Sequence, residues 1–311
     1  MKRKVVRIGP STMMVSLPSQ WVKQNNISPG EELEAHLKPK EIIFSRGEYK
    51  PQQKEIILDV TLFNTFLLVR YLEMLYLNNY HKIVLVHSRQ DIEDEKNQRK
   101  LNVRNFIKYL STRLIGMEIV FQTVNMTELY CLISEKDDEL DKIERRIYYL
   151  IKESFQELLA SIDKDFSKFC HIAYDHHDNI VKFILYYLRT LDQSDKSIGE
   201  KKALYSLYLL IDKQIDQFRH ICDVINQLGC TFKIKNLLKE IIEFNYEMFS
   251  MLQRGKVSNE LITKKYLLIQ KIDKTKYTKE EVKIILEAKF LVMILNDFVR
   301  TIIIRNIVVK T

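Results

Sequence analysis

Glycine and proline are scarce in this 311-residue chain, with 7 and 5 copies. A chain so poor in turn residues is not an all-β sandwich with many tight loops; it should be mostly helix. There are only four cysteines, Cys131, Cys170, Cys222 and Cys230, with no C-x-x-C pair. That argues against a disulfide framework or a zinc ribbon, and for free thiols in a reducing compartment. No apolar run of about 18 residues is free of charges, so a membrane span is not expected. The nearest candidate, Phe290 to Val309, is interrupted by Asn296, Asp297, Arg300 and Arg305. After Met1 the chain opens on Lys2, Arg3 and Lys4 and then alternates, so no signal peptide is expected and the location should be cytoplasmic. The chain also has no glycine-rich phosphate loop, nucleophile elbow, Cys–His arrangement or H-E-x-x-H, so no catalytic activity is expected.

The prolines that exist are all early: Pro10, Pro18, Pro29, Pro39 and Pro51. Residues 1–45 should therefore be a small turn-rich unit, followed by a polar linker at 46–54. The first 30 residues hold Lys2, Arg3, Lys4, Arg7 and Lys23 with no Asp or Glu, so most of the formal +8 charge is concentrated there. Within this unit Lys4–Ile8 and Thr12–Leu17 read as strands around the turn Gly9-Pro10-Ser11. Ser19–Asn25 reads as a short helix, and Glu32–Leu37 and Glu41–Phe44 as two more strands. So few residues cannot bury a core alone, and intertwining two copies would complete one.

Residues 55–133 alternate as β-α-β-α-β-β, a small α/β segment. Strands are expected at Ile56–Val60, Lys82–Val86, Met117–Val124 and Glu128–Ile133. Helices are expected around Phe63–Leu77 and Val103–Leu114, and Arg89–Lys100 reads as a charged loop. From Ser134, a candidate N-cap, the pattern is helical to the end. One helix carries Leu140, Ile143, Ile147, Ile151, Phe155, Leu158 and Ile162 on its buried face. Further segments fall at about 166–192, 200–228, 232–254, 258–273 and 279–309. Gly229 and Gly255 stand at helix ends, and Thr278-Lys279-Glu280-Glu281 forms a capping box. Three segments followed by three suggest a duplicated three-helix bundle at 134–230 and 231–311. The last helix, apolar nearly all round from Phe290 to Ile304, is expected to be buried. The fold class is thus a mostly helical, multidomain α+β protein.

The segment Val5-Val6-Arg7-Ile8-Gly9-Pro10-Ser11-Thr12-Met13-Met14-Val15-Ser16-Leu17-Pro18, followed by Trp21 and by Ile27-Ser28-Pro29-Gly30-Glu31-Glu32-Leu33, resembles the SpoVT/AbrB family of swapped-hairpin DNA-binding domains. The resemblance implies a homodimer that interleaves its hairpins and grips double-stranded DNA. It places Lys2, Arg3, Lys4 and Arg7, with the turn residues Ser11 and Thr12, at the DNA. The physics agrees, since cations on a paired β surface neutralise phosphates.

The domain order, together with Leu114-Ile115-Gly116-Met117-Glu118-Ile119-Val120 and the helix Phe63–Tyr80, resembles archaeal PhoU-like phosphate-uptake regulators. That implies a transcriptional regulator linked to phosphate uptake; the alternative is an adaptor that does not bind DNA and docks on a transporter or signalling partner. PhoU-type bundles carry a Glu/Asp-x-x-x-Asp motif that holds metal, because carboxylates at i and i+4 converge on one cation. The matching positions here are Asp212, Asp216 and His220 on one helix and Asp175, His177 and Asp178 on the preceding one. They imply a divalent or transition metal, although the motif is eroded in every copy.

Overall fold

The computed structural model describes residues 2–38, 41–46, 53–133 and 139–308. The expected cap at Ser134, most of the linker and part of the turn at Lys38-Pro39-Lys40 lie outside them. Contacts divide the chain into two units, Met1–Gln52 and Gln53–Thr311. The protein is mostly helical, with small β-sheets toward its N-terminus.

In the first unit β1 (Val5–Arg7) pairs antiparallel with β2 (Met13–Val15), Val6 facing Met14. The Ile8 N–H donates to Thr12 O at 3.1 Å and narrows the turn. Pro18 takes the N-cap position of α1 (Ser19–Gln24), where its missing N–H costs nothing. β3 (Glu34–Lys38) and β4 (Glu41–Ser45) form a second hairpin, Ala35 facing Phe44. None of the unit's described residues is buried.

The second unit opens with β5 (Lys54–Asp59), α2 (Thr65–Leu77) and β6 (Tyr80–Val86), β5 and β6 running parallel. Then come a hairpin of β7 (Asp91–Asp94) and β8 (Arg99–Asn102), α3 (Val103–Thr112), β9 (Met117–Gln122) and β10 (Met126–Cys131). The sheet order is β5-β6-β10-β9, with β10 antiparallel to both neighbours. Asn64 and Asn102 cap α2 and α3 by accepting from the N–H of Leu67 and Asn105. The expected loop at Arg89–Lys100 is corrected to a hairpin. Its charges pair on and across the strands, Arg99 with Asp94 at 3.0 Å and Lys100 with Glu93 at 3.2 Å, while Ile92 is buried. Charge density concealed the period of two.

The helices are α4 (Leu140–Lys164), α5 (Phe169–Gln193), α6 (Ile198–Leu228), α7 (Phe232–Arg254), α8 (Asn259–Lys274), α9 (Lys279–Met293) and α10 (Leu295–Val308). Capping boxes start α6 at Ser197/Glu200 and α9 at Thr278/Glu281, and Gly255 closes α7 in the left-handed region. The single helix expected over 279–309 breaks at Ile294. There Asn296 Oδ1 accepts from the buried Lys265 ammonium at 2.6 Å. The pair α9–α10 is also not buried all round: Leu291, Phe298 and Ile302 face the core, while Phe290, Met293, Ile303 and Ile304 are exposed. Among the described residues no helix is long and apolar enough to cross a membrane.

The α/β layer and the helices share one core, which runs from Val60 to Ile302. α4 packs on α7 as well as α5, and α6 on α9 and α10 as well as α5. Helix α5 joins the two layers. Its stretch Ile184–Leu191 is wholly buried, and within it the Arg189 guanidinium lies 4.7 Å from the Tyr76 ring centre and donates to Tyr76 O at 2.5 Å. A guanidinium in this place is held by backbone carbonyls and a π-face, which ties the α/β layer to the bundle.

Candidate functional site

Two places gather the residues singled out by the sequence. The first is the hairpin of the N-terminal unit. Lys2, Arg3 and Lys4 precede β1, Ser11 and Thr12 lie at the turn, and all five are exposed. Side chains alternate along a strand, so Val5 and Arg7 share one face and Val6 the other. Both faces carry exposed apolar residues, Val5, Met13 and Val15 on one and Val6 and Met14 on the other, and Ile8 just beyond the strand is exposed too. Arg7 is also exposed, but its guanidinium turns back to donate to Gly9 O at 3.1 Å and to Pro10 O. It clamps its own turn.

The second place lies within the larger unit. A cleft of about 470 Å³ opens between α2, the β7–β8 tip and α3 on one side and α5 and α6 on the other. At its base His177, only 4% exposed, sets Nδ1 2.9 Å from Asp178 and Nε2 3.3 Å from Asp216. Arg219 pairs with Asp216 at 2.9 Å, and His220 lies 3.3 Å from the same carboxylate. Arg113 approaches Asp178 at 3.8 Å, and the Tyr109 hydroxyl donates to it at 3.0 Å. Lys96, on the hairpin tip, reaches Asp223 at 2.8 Å. Burial alone would raise the Asp178 carboxyl, but the His177 hydrogen bond and the Arg113 charge outweigh it and bring it down to about 2. Asp216 is held low in the same way by His177 and Arg219. Asp212, one turn earlier, behaves oppositely: burial, then the charges of Asp216 and Glu73, push it up.

The expected metal ligands are therefore divided. Asp175 is exposed and lies 3.5 Å from His171. Asp212 makes no hydrogen bond or ion pair among the described residues. His177, Asp178, Asp216 and His220 do meet, but as a chain of ion pairs with arginines already on both Asp178 and Asp216. A metal cation there would face two guanidiniums, and among the described residues no group of three or more His, Cys, Asp or Glu is set to hold one. These residues do not fit the metal. What they build is an electrostatic joint linking α3, α5 and α6.

Sequence reasoning missed Tyr109, Arg113 and Arg219. Arg219 stands three residues after Asp216, a helix-face spacing that could have identified it. Tyr109 on α3 and Arg113 at its C-cap, four apart, carried the same signal. Compared with protein families, with curated proteins and with solved structures, the chain matches none.

Proposed function

We propose that this protein is a cytoplasmic, homodimeric DNA-binding transcriptional regulator. In this reading two N-terminal units swap hairpins, and Lys2, Arg3 and Lys4 from each chain lie along the phosphate backbone. The α/β segment and a PhoU-like helical bundle carry the signal, and a link to phosphate uptake rests on the sequence resemblance. One observation carries the reading: a hairpin apolar on both faces, preceded by three exposed cations, in a stretch of 30 residues without a carboxylate. A two-stranded ribbon of this kind is not stable alone in water, so a second copy supplies the missing cover.

The test is DNA affinity measured against salt for the full chain and for the variant Lys2→Ala/Arg3→Ala/Lys4→Ala. Every phosphate that goes without its cation lowers the slope of log K against log salt by about 0.9. The variant should therefore show a slope shallower by several units and bind at least about a hundredfold more weakly. Mapping the DNA bound in the host then checks the phosphate link, which sites near phosphate-transport genes support. The second reading is a dimerising adaptor that docks on a transporter or signalling protein. The inward-turned Arg7 favours it, because that charge is engaged by its own turn. A wild-type chain without salt-dependent DNA binding would overturn the regulator and favour the adaptor instead.

A further inference from the structure

A second cleft, of about 460 Å³, lies between α4, α7 and α10, and its chemistry is unlike that of the first. Arg145, Tyr148 and Lys152 stand at i, i+3 and i+7 on α4, so they line one stripe. Tyr246, Ser250 and Gln253 form the facing stripe on α7, and Arg305 enters from α10. In the first cleft the arginines at the base are paired with carboxylates. Here, among the described residues, none of the three cations has a carboxylate within ion-pair distance. The one acid in the lining, Glu144, accepts from the Tyr208 hydroxyl at 3.1 Å. The lining therefore carries a net charge of about +2.

The Tyr148 hydroxyl is the second observation. Its oxygen is buried beside the Arg305 guanidinium, and its proton has no acceptor. A buried hydroxyl proton without an acceptor costs free energy that an acceptor oxygen in the cleft would recover. Burial, and after it the Glu144 charge, push its pKa up to about 12 against the opposing charge and hydrogen bond of Arg305, so it stays a donor at physiological pH. The Tyr149 ring, 54% exposed, adds a flat apolar wall.

We propose that this cleft binds a phosphorylated small molecule of nucleotide size, with its phosphate oxygens on Arg145, Lys152, Arg305 and the Tyr148 hydroxyl and its flat body against Tyr149. The charge calls for a di- or trianion. The volume exceeds what inorganic phosphate fills and falls in the range of small-molecule sites. Nothing here depends on DNA binding, and the test contains no DNA.

The full chain is titrated calorimetrically with ADP, pyrophosphate, inorganic phosphate and, as a control for charge alone, sulfate, all at constant ionic strength. ADP should bind saturably and more tightly than the inorganic anions. Arg145→Gln with Lys152→Gln should weaken it at least about tenfold, and Tyr148→Phe by about three- to tenfold, with the thermal midpoint of each variant unchanged. Pyrophosphate binding as tightly as ADP would overturn the organic body while retaining the phosphate contacts. No saturable binding of ADP or pyrophosphate at millimolar concentration, sulfate binding equally well, or an affinity indifferent to both variants would overturn the site.

Discussion

The hairpin at residues 5–15 and the second half of α5 are built from similar aliphatic residues and place them oppositely. In α5, Ile184, Leu185, Leu188 and Leu191 are all buried, because the α/β layer covers one side of the helix and neighbouring helices cover the other. In the hairpin, Val5, Val6, Ile8, Met13, Met14 and Val15 are all exposed. Apolar composition reports that a surface will be covered but not by what. For α5 the cover is the same chain. For the hairpin no described residue of its own unit supplies it, and under the proposed function a second copy would.

The sharpest way to break this comparison is to place charges on both sides. Val6→Asp with Met14→Asp sets two carboxylates at a facing pair of the hairpin. If a second copy covers that face, the dimer should dissociate by a factor of about a thousand or more, since each buried charge lacks a partner. Sedimentation equilibrium measures this, and the main thermal transition should stay where it is. Ile184→Asp should do the reverse and abolish the cooperative transition itself. A hairpin variant with unchanged mass in solution would remove the second copy from the argument.

Glycines sharpen the same contrast with a smaller effect. Gly116 has φ of +79°, and a Cβ there would come within 2.6 Å of Ile133 Cδ1, just beyond the paired ends of β9 and β10. Gly30, in the N-terminal unit, has φ of +86° with no heavy atom within 4 Å of where its Cβ would be. Gly116→Ala should therefore cost the backbone strain plus an overpacking penalty, about 2–4 kcal/mol. Gly30→Ala should cost the strain alone, about 1 kcal/mol. Urea unfolding of the two variants reads the difference directly, and equal losses would mean that the junction at Gly116 yields freely.

What the sequence disclosed follows the same line between local and non-local causes. Helices α4 to α8 are legible because a long apolar period and explicit caps such as Ser197/Glu200 and Gly255 are local signals. The β7–β8 hairpin is not, because its alternation is carried by one buried Ile92 among charges that pair only once the strands meet. At the break at Ile294, Asn296 meets Lys265 from some thirty residues away, a contact that no local signal reports. The cleft shows both sides. Helix spacing pairs Asp216 with His220, which do meet, whereas Asp175, His177 and Asp178 rest on the family resemblance, and of these Asp175 stays apart with His171. The resemblance assigns the set wrongly to a metal, because Arg113 comes from the α/β segment and only the fold brings its charge to Asp178.

The smallest predicted effect separates two carboxylates one turn apart on α6. Asp216 has a folded pKa below its unfolded value of about 3.9. Its contribution is therefore present above about pH 4 and lost as acid protonates it. Asp212 has a raised folded pKa. The folded chain holds that proton more tightly than the unfolded one, so stability is lost as pH rises from about 4 through the raised value, and ionised Asp212 opposes folding at neutral pH. Asp216→Asn should then cost about 1–2 kcal/mol at pH 7 and flatten the acid limb of the stability curve. Asp212→Asn should leave stability unchanged or raise it by up to about 1 kcal/mol, and should flatten the limb on the neutral side. Denaturant midpoints from pH 3 to pH 8 compare the two. If both variants lost stability equally at pH 7, Asp212 would have to be paired in solution, and the cleft would lack the unpaired carboxylate that sets it apart from the ion pairs at its base.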